Sequence, residues 1–272
     1  MVRIGDVWDS TTDVLAGRAG LLAPIAALAF ALPTILEAAA RSYGGASAGL
    51  ALVASLIGLA GVVATVWGSL AVAAVASDPA MTSAHAGRLA RARLGKGLTV
   101  VLVLIGAVIL LTLPVVIALW STGFDFRAAA AAQAAGRMPA MAPGARLFVS
   151  LYGLALLALG LWAGARLFLL YVVVLNEDRA VGAFGRSIQI TRGMTAKLVG
   201  VVLLLTVAYL IALSAVQSVV GLLFRLALGP QNVATALFMA AVAGAVVTAA
   251  FTTLIQVFAA RLYAAIVARP LA

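Results

Sequence analysis

Residues 198–223 run for 26 positions without a charged side chain, and residues 97–120 do so for 24. A helix needs roughly 20 apolar residues to cross the hydrocarbon core of a bilayer. The same test, applied along the chain, predicts six spans at about 21–39, 48–76, 97–120, 147–175, 198–223 and 233–267. Only 10% of the 272 residues are charged, against about 25% in soluble domains. A mean hydropathy of +1.20 leaves too little polar surface to cover a soluble fold. The expected class is therefore all-α, a polytopic integral membrane bundle of six transmembrane helices.

Pro33 and Pro114 should kink the first and third spans. The second span carries Gly49, Gly58, Gly61 and Gly68, and the fourth carries Gly160-x-x-x-Gly164. Small residues at such spacings let membrane helices approach closely. The longest polar connection, residues 121–146, has an Ala-rich middle with helical composition. Met138-Pro139 and Pro143-Gly144 bound it.

Three junctions cannot sit in lipid. At the N-terminus Ile4, Val7, Trp8, Val14 and Leu15 share one helical face, and Asp6, Asp9 and Asp13 share the other. That pattern predicts an amphipathic helix at the interface, ended by Gly17. The three acids argue against a secretory leader, whose first segment is basic. Ser77-Asp78-Pro79 closes the second span, and Asp followed by Pro signals the start of a second short helix. That helix carries Arg88, Arg91 and Arg93 and should end at Gly95.

The third junction, residues 176–197, reads NEDRAVGAFGRSIQITRGMTAK. Asn176 to Asp178 are placed to cap a following helix and complement its positive end. Val181, Phe184 and Ile188 give it an apolar face, and Arg192 and Gly193 suit its last turn. The plain reading is a capped interfacial helix. The functional reading is a site for a lipid headgroup or a protein partner, with Arg179, Arg186 and Arg192 on phosphate.

The junctions resemble one another. A shift of 98 places Asp78 on Asn176, Gly87 on Gly185, Arg88 on Arg186 and Gly95 on Gly193; a shift of 78 places Gly17 on Gly95 and Arg18 on Lys96. The fourth and sixth spans share Ala165-Arg166-Leu167-Phe168 and Ala260-Arg261-Leu262-Tyr263. These matches predict one membrane domain with a threefold internal repeat of interfacial helix, span and span, over about 1–76, 77–175 and 176–272.

Twelve of the 18 basic residues fall on the side of the three junctions and both termini, and five on the other, with Arg166 inside a span. The positive-inside rule places the twelve, and the three interfacial helices, in the cytoplasm. It also accounts for the net charge of +10 without nucleic acid.

Chemistry-bearing residues are few. There is no cysteine, one histidine (His85) and eight acids. No nucleophile, dinucleotide, P-loop or paired-carboxylate pattern stands out. The expectation is a non-enzyme with no cofactor and no metal. Inside the spans, Arg166 is the notable charge, and a charge at depth is a functional candidate. With one continuous fourth span it would lie about 14 Å inside the cytoplasmic end. The structural alternatives are snorkelling, or a pair with Glu177, Asp178 or a helix-end carbonyl. Glu37 has Arg41 as an i, i+4 partner, and Gln217 and Gln256 read as interhelical hydrogen-bond glue.

The run Gly164-Ala165-Arg166-Leu167, then Glu177-Asp178, Ala183, Arg186-Ser187 and Thr191-Arg192-Gly193, resembles the bacterial glycerophosphodiester phosphodiesterase membrane-domain family. It is also similar to related six-span inner-membrane families of unassigned role. The resemblance covers about residues 164–200, and the six-span layout covers the rest. Some members of that family carry a soluble phosphodiesterase domain after the membrane part. This sequence shows none, so that activity does not carry over. The resemblance and the residues together imply a multi-pass protein of the bacterial inner membrane that binds phospholipid, or a membrane-protein partner, in envelope or lipid homeostasis. Arg166, Glu177, Asp178, Arg179, Arg186, Ser187 and Arg192 are the candidate contacts. The competing expectation is a transporter or lipid-moving protein with a polar cavity in the bundle.

Overall fold

The computed structural model describes residues 3–43, 48–134, 136–139 and 141–268. The 44–47 part of the first external turn and Arg269 of the charge count lie outside the described residues. Among these residues there is no strand. Six helical stretches are long and apolar enough to cross a membrane, so the chain is an all-α, multi-pass membrane bundle.

The first stretch, Ile4–Tyr43, is three pieces in one. Helix α1 (Ile4–Ala26) breaks helical geometry at Arg18, one residue after the expected stop at Gly17. A π-helical turn, Ala27–Ala31, follows and leads into α2 (Leu32–Tyr43). The π turn lies just before Pro33. Helix α3 (Ala48–Ser77) is the second span.

Helix α4 (Ser83–Ser121) corrects an expectation. The second short helix and the third span are one continuous helix, and Gly95 does not end it. Arg88, Arg91 and Arg93 are carried on the first turns of this helix, and Arg93 meets the Asp178 carboxylate, so a glycine alone gives no reason for the helix to stop. Its start is Thr82, whose hydroxyl accepts the His85 N–H at 3.3 Å. Asp78-Pro79 is instead a turn, with Asp78 Oδ1 accepting the Ala80 N–H at 2.8 Å.

In the connection, α5 (Phe126–Ala134) is capped by Asp125, which accepts the Arg127 and Ala128 N–H groups at 2.8 and 3.0 Å. The fourth span is divided: α6 (Pro143–Arg166) stops, residues 167–169 are non-helical, and α7 (Leu170–Glu177) resumes. Helix α8 (Gly182–Ile190) forms most of the third junction. Helix α9 (Thr195–Leu228), a 3-10 turn (Pro230–Asn232) and α10 (Val233–Val267) complete the chain.

Around the bundle the order is α2, α3, α4, α6, α9, α10 and back to α2, each touching the next. The two ends of this ring differ. At the end carrying the basic junctions, consecutive residues are buried on every helical face: Leu70 to Ala76 in α3, Val172 to Leu175 in α7 and Val257 to Ala260 in α10. These three helices meet there and form a dry core. Arg261 Nε donates to Ser10 Oγ at 2.6 Å, so α1 and the end of α10 lie together at this end.

The other half is loosely packed. Val108, Ile109, Leu110 and Leu111 of α4 are consecutive and all exposed. Four consecutive residues cover a full helical turn, so protein covers little of α4 here, although the Tyr152 hydroxyl of α6 still donates to the Leu111 carbonyl at 2.8 Å. Residues 157–160 of α6 repeat the pattern.

The glycine expectation holds at two positions of the second span. Gly61 lies against Pro33, and Gly68 is where α3 crosses the π turn: a Cβ there collides with Ala29 and meets the Phe30 ring at 3.0 Å. Gly58, Gly160 and Gly164 face open space.

Candidate functional site

The break after Arg166 organises the site. No Gly or Pro lies at 167–169, so nothing local demands it. A helix that stops leaves carbonyls without partners. Here the Arg166 carbonyl accepts the Ser187 hydroxyl at 2.7 Å and the Thr191 hydroxyl at 3.4 Å, both from the α8 segment. Ser187 and Thr191 are fully buried. The break is held from outside, by residues some twenty positions later in the chain.

This changes the position of Arg166. The last strongly exposed apolar residue of α6 is Trp162, one turn before it, and the segment after it enters the dry core. Arg166 is thus the last residue of α6, at a break, and not inside one continuous helix. Its Nη1 donates to the Ile188 carbonyl at 3.2 Å, the helix-end carbonyl foreseen as one structural alternative. Its guanidinium lies 5.8 Å from the Trp162 ring centre, within cation–π range. Its Nε is buried without a hydrogen-bond partner among the described residues.

Glu177 forms a second centre. It ends α7 and is largely buried. Arg186 Nε donates to both carboxylate oxygens, at 2.8 and 3.1 Å, and Arg179 Nε lies 3.3 Å away. The Tyr263 hydroxyl of α10 donates to the same carboxylate at 3.1 Å. Arg186 also reaches Gln189 Oε1 at 3.3 Å. One carboxylate therefore ties together α7, α8 and α10.

Asp178 is the third. Its φ of +56° places it in the left-handed region, rare for a residue with a side chain. Its carboxylate meets Arg93 and Lys96 of α4, and Lys96 Nζ also donates to its carbonyl at 3.0 Å. Asn176 to Asp178 thus terminate α7 rather than cap α8, whose N-cap residue is Val181 with no side-chain cap. Asn176 returns its amide to the Val172 carbonyl at 2.9 Å. The buried face of α8 is Ala183 and Ser187, while Val181 and Ile188 are exposed and Phe184 is half-buried. The sequence periodicity picked the larger apolar side chains, but close approach of α8 to the break selects the small ones.

Of the seven candidate residues, the structure joins Arg166 with Ser187, and Glu177 with Arg179 and Arg186. It holds Asp178 to α4. Arg192 is exposed, with no side-chain partner among the described residues. Thr191, Gln189, Tyr263, Arg93 and Lys96 were not among the candidates. Tyr263 could have been found from the Ala-Arg-Leu-Phe and Ala-Arg-Leu-Tyr match. The α4 pair had no signal beyond charge.

Similar contacts recur at the basic end. Arg18, at the kink of α1, donates to the Val75 and Asp78 carbonyls at 2.5 and 2.7 Å and to that of Pro79. Lys96 treats Asp178 in the same way. Trp67 Nε1 donates to the Gly87 carbonyl at 3.2 Å, as Arg166 does to that of Ile188, while Arg261 donates to the Ser10 hydroxyl.

The remaining polar span residues are separate. Glu37 pairs with Arg41, as expected from their spacing. The Gln217 amide lies over Gly244, where an added Cβ would sit 2.5 Å from its nitrogen. Among the described residues no group of His, Asp or Glu is placed to hold a metal ion. Comparison with family models, curated proteins and solved structures returned no match for this chain.

Proposed function

We propose that the protein is a non-enzymatic, lipid-binding protein of the bacterial inner membrane, with its basic end and both termini in the cytoplasm, serving envelope or lipid homeostasis. The observation that carries this reading is the run of four consecutive exposed apolar side chains on α4, Val108–Leu111. Apolar side chains on every face need apolar neighbours on every face, and acyl chains supply them where protein does not. A second support is charge: Arg88, Arg91 and Arg192 are exposed at the basic end and suit anionic headgroups. Arg179 and Arg186, engaged by Glu177, act first as structural residues, and Arg166 offers its remaining guanidinium donors at the break. The resemblance to the phosphodiesterase membrane-domain family enters on the same footing: its residues converge on one junction.

The test is lipid analysis of protein extracted gently into nanodiscs. Phospholipid should copurify in defined amount, and the triple variant Arg88→Glu, Arg91→Glu, Arg192→Glu should retain several-fold less anionic lipid. Lipid-free protein, or a triple variant with unchanged lipid content, would overturn it. A membrane-protein partner seated on α4 would appear as a stoichiometric second band.

A threefold repeat belongs to the same proposal. The recurring contacts of Arg18 and Lys96 on helix ends, and of Trp67, Arg166 and Arg261 on the junction helices, support it.

A second reading, a transporter, has its own support. The first and fourth spans are both irregular, at Ala27–Ala31 and at 167–169, and interrupted helices border substrate sites in many transporters.

A further inference from the structure

The two irregular spans face a common space. A cleft of about 300 Å³ lies between α2, α3, α4 and α7. Pro33, Thr34 and Glu37 come from the segment just after the π turn, and Tyr171 from the first turn after the break in the fourth span. The wall along α3 runs from Ile57 to Val66, about 14 Å at the helical rise. Gly58 and Gly61 keep that wall low.

Two polar groups of this cleft have no partner of their own among the described residues. Threonines in membrane helices usually return their hydroxyl to their own backbone. Thr11, Thr34, Thr99, Thr112, Thr191, Thr248 and Thr253 all do so here. Thr65 makes no hydrogen bond among the described residues, and neither does the mostly buried Tyr171. Both line the cleft. Glu37 is its only charged wall residue among the described residues. Arg41 takes one carboxylate oxygen of Glu37, and an ionised carboxylate has acceptor sites beyond that one.

We propose that this cleft is a binding site for a small organic amine with an apolar body. Glu37 receives the ammonium group, in competition with Arg41. The apolar body lies along Gly58, Gly61, Val62 and Val66, and the Thr65 and Tyr171 hydroxyls meet the ligand's polar end or ordered water. Among the described wall residues Glu37 is the one charge, and its partner Arg41 stands outside the wall, so a carboxylate or phosphate in the cleft would meet a like charge. This site stands apart from the lipid-binding reading, which rests on α4 and the basic end.

The test uses full-length protein in nanodiscs and 2-phenylethylamine as probe, by titration calorimetry, with empty nanodiscs subtracted. The neutral analogue 2-phenylethanol and the anionic 3-phenylpropanoate are the controls. The amine should bind saturably, and each control at least about tenfold more weakly. Glu37→Gln should weaken the amine by about tenfold or more, removing the amine's advantage over the alcohol. Arg41→Gln, which removes the competitor and leaves the carboxylate, should strengthen it. The Thr65→Val, Tyr171→Phe pair should lower affinity for both the amine and the alcohol. Equal binding of amine and alcohol by the unaltered protein would overturn the proposal. So would absence of saturable amine binding, or an Arg41→Gln variant that binds no better. None of those three outcomes needs folded Glu37→Gln protein, so the proposal stands or falls even if that variant misfolds.

Discussion

Ser187 donates its hydroxyl to the carbonyl of Arg166 at 2.7 Å, across 21 residues of sequence. The bond closes the interruption of the fourth span, and both the donor and the neighbouring Thr191 are fully buried. A buried carbonyl left without a partner costs about 1–3 kcal/mol. Ser187→Ala with Thr191→Val should therefore destabilise by about that amount. Hydrogen exchange should quicken first at 167–170 and in α8, before global unfolding. Uniform exchange across the bundle would show that the break does not depend on α8.

The Glu177–Arg186 pair leads to a different kind of measurement. Glu177 is 16% exposed and has three donors around it, so screening by water is limited. Hydrogen bonds to charged groups contribute about 1.5–3 kcal/mol net. Glu177→Gln should cost about that much stability. Arg186→Gln added to it should cost much less than it does alone, because the two residues share one interaction. Additive losses in the double-mutant cycle would separate them. Tyr263→Phe should be milder, since it removes one neutral donor and leaves the ion pair.

The spans were legible because apolar length is a property of the chain itself: residues 198–223 and 97–120 can do little else. The Glu37–Arg41 pair was legible for the same reason, as both partners sit on one helix a turn apart. The division of the fourth span was not. Residues 167–169 contain no helix breaker, and the groups that hold the break, Ser187 and Thr191, act through tertiary contact. The role of Asp178 was hidden likewise: its partners Arg93 and Lys96 lie 85 and 82 positions upstream. Cap rules assigned Asn176–Asp178 to the helix that follows, although these residues end the helix before.

Gly68 and Gly160 provide a paired test of where helix packing is tight. A Cβ at Gly68 meets Ala29 and Phe30 of the π turn, whereas at Gly160 it meets nothing within 4 Å. Forcing a side chain into a filled contact costs about 1–3 kcal/mol. Gly68→Val should lower the thermal midpoint in nanodiscs and Gly160→Val should leave it nearly unchanged. Equal effects at both positions would remove the π turn as the closest crossing.

Arg18 and Lys96 should differ in strength while acting alike. Arg18 serves three carbonyls near the end of α3, where a cation also complements the negative helix end. Arg18→Gln should cost about 1–2 kcal/mol. Lys96 and Asp178 are 39% and 47% exposed, so water and salt screen them, and Lys96→Gln should cost about 1 kcal/mol or less. The Lys96 loss should shrink further in 1 M salt. A Lys96 loss as large as that of Arg18, insensitive to salt, would contradict the exposure argument.

Orientation has a clean test because the chain contains no cysteine. Arg91 is exposed at the basic end, and Arg127 is exposed in the connection at the other end. Single variants Arg91→Cys and Arg127→Cys each carry one thiol for a membrane-impermeant maleimide. The excess of Arg and Lys at the junctions predicts a cytoplasmic basic end. Arg127→Cys should then label in intact spheroplasts, and Arg91→Cys only in inverted membrane vesicles. The opposite pattern would reverse the orientation and place Arg88, Arg91 and Arg192 on the outer face, where anionic headgroups of the cytoplasmic leaflet could not be their ligands. Labelling of both thiols from one side would contradict the six-span bundle, since α4 carries the chain from one end of the ring to the other between these two positions.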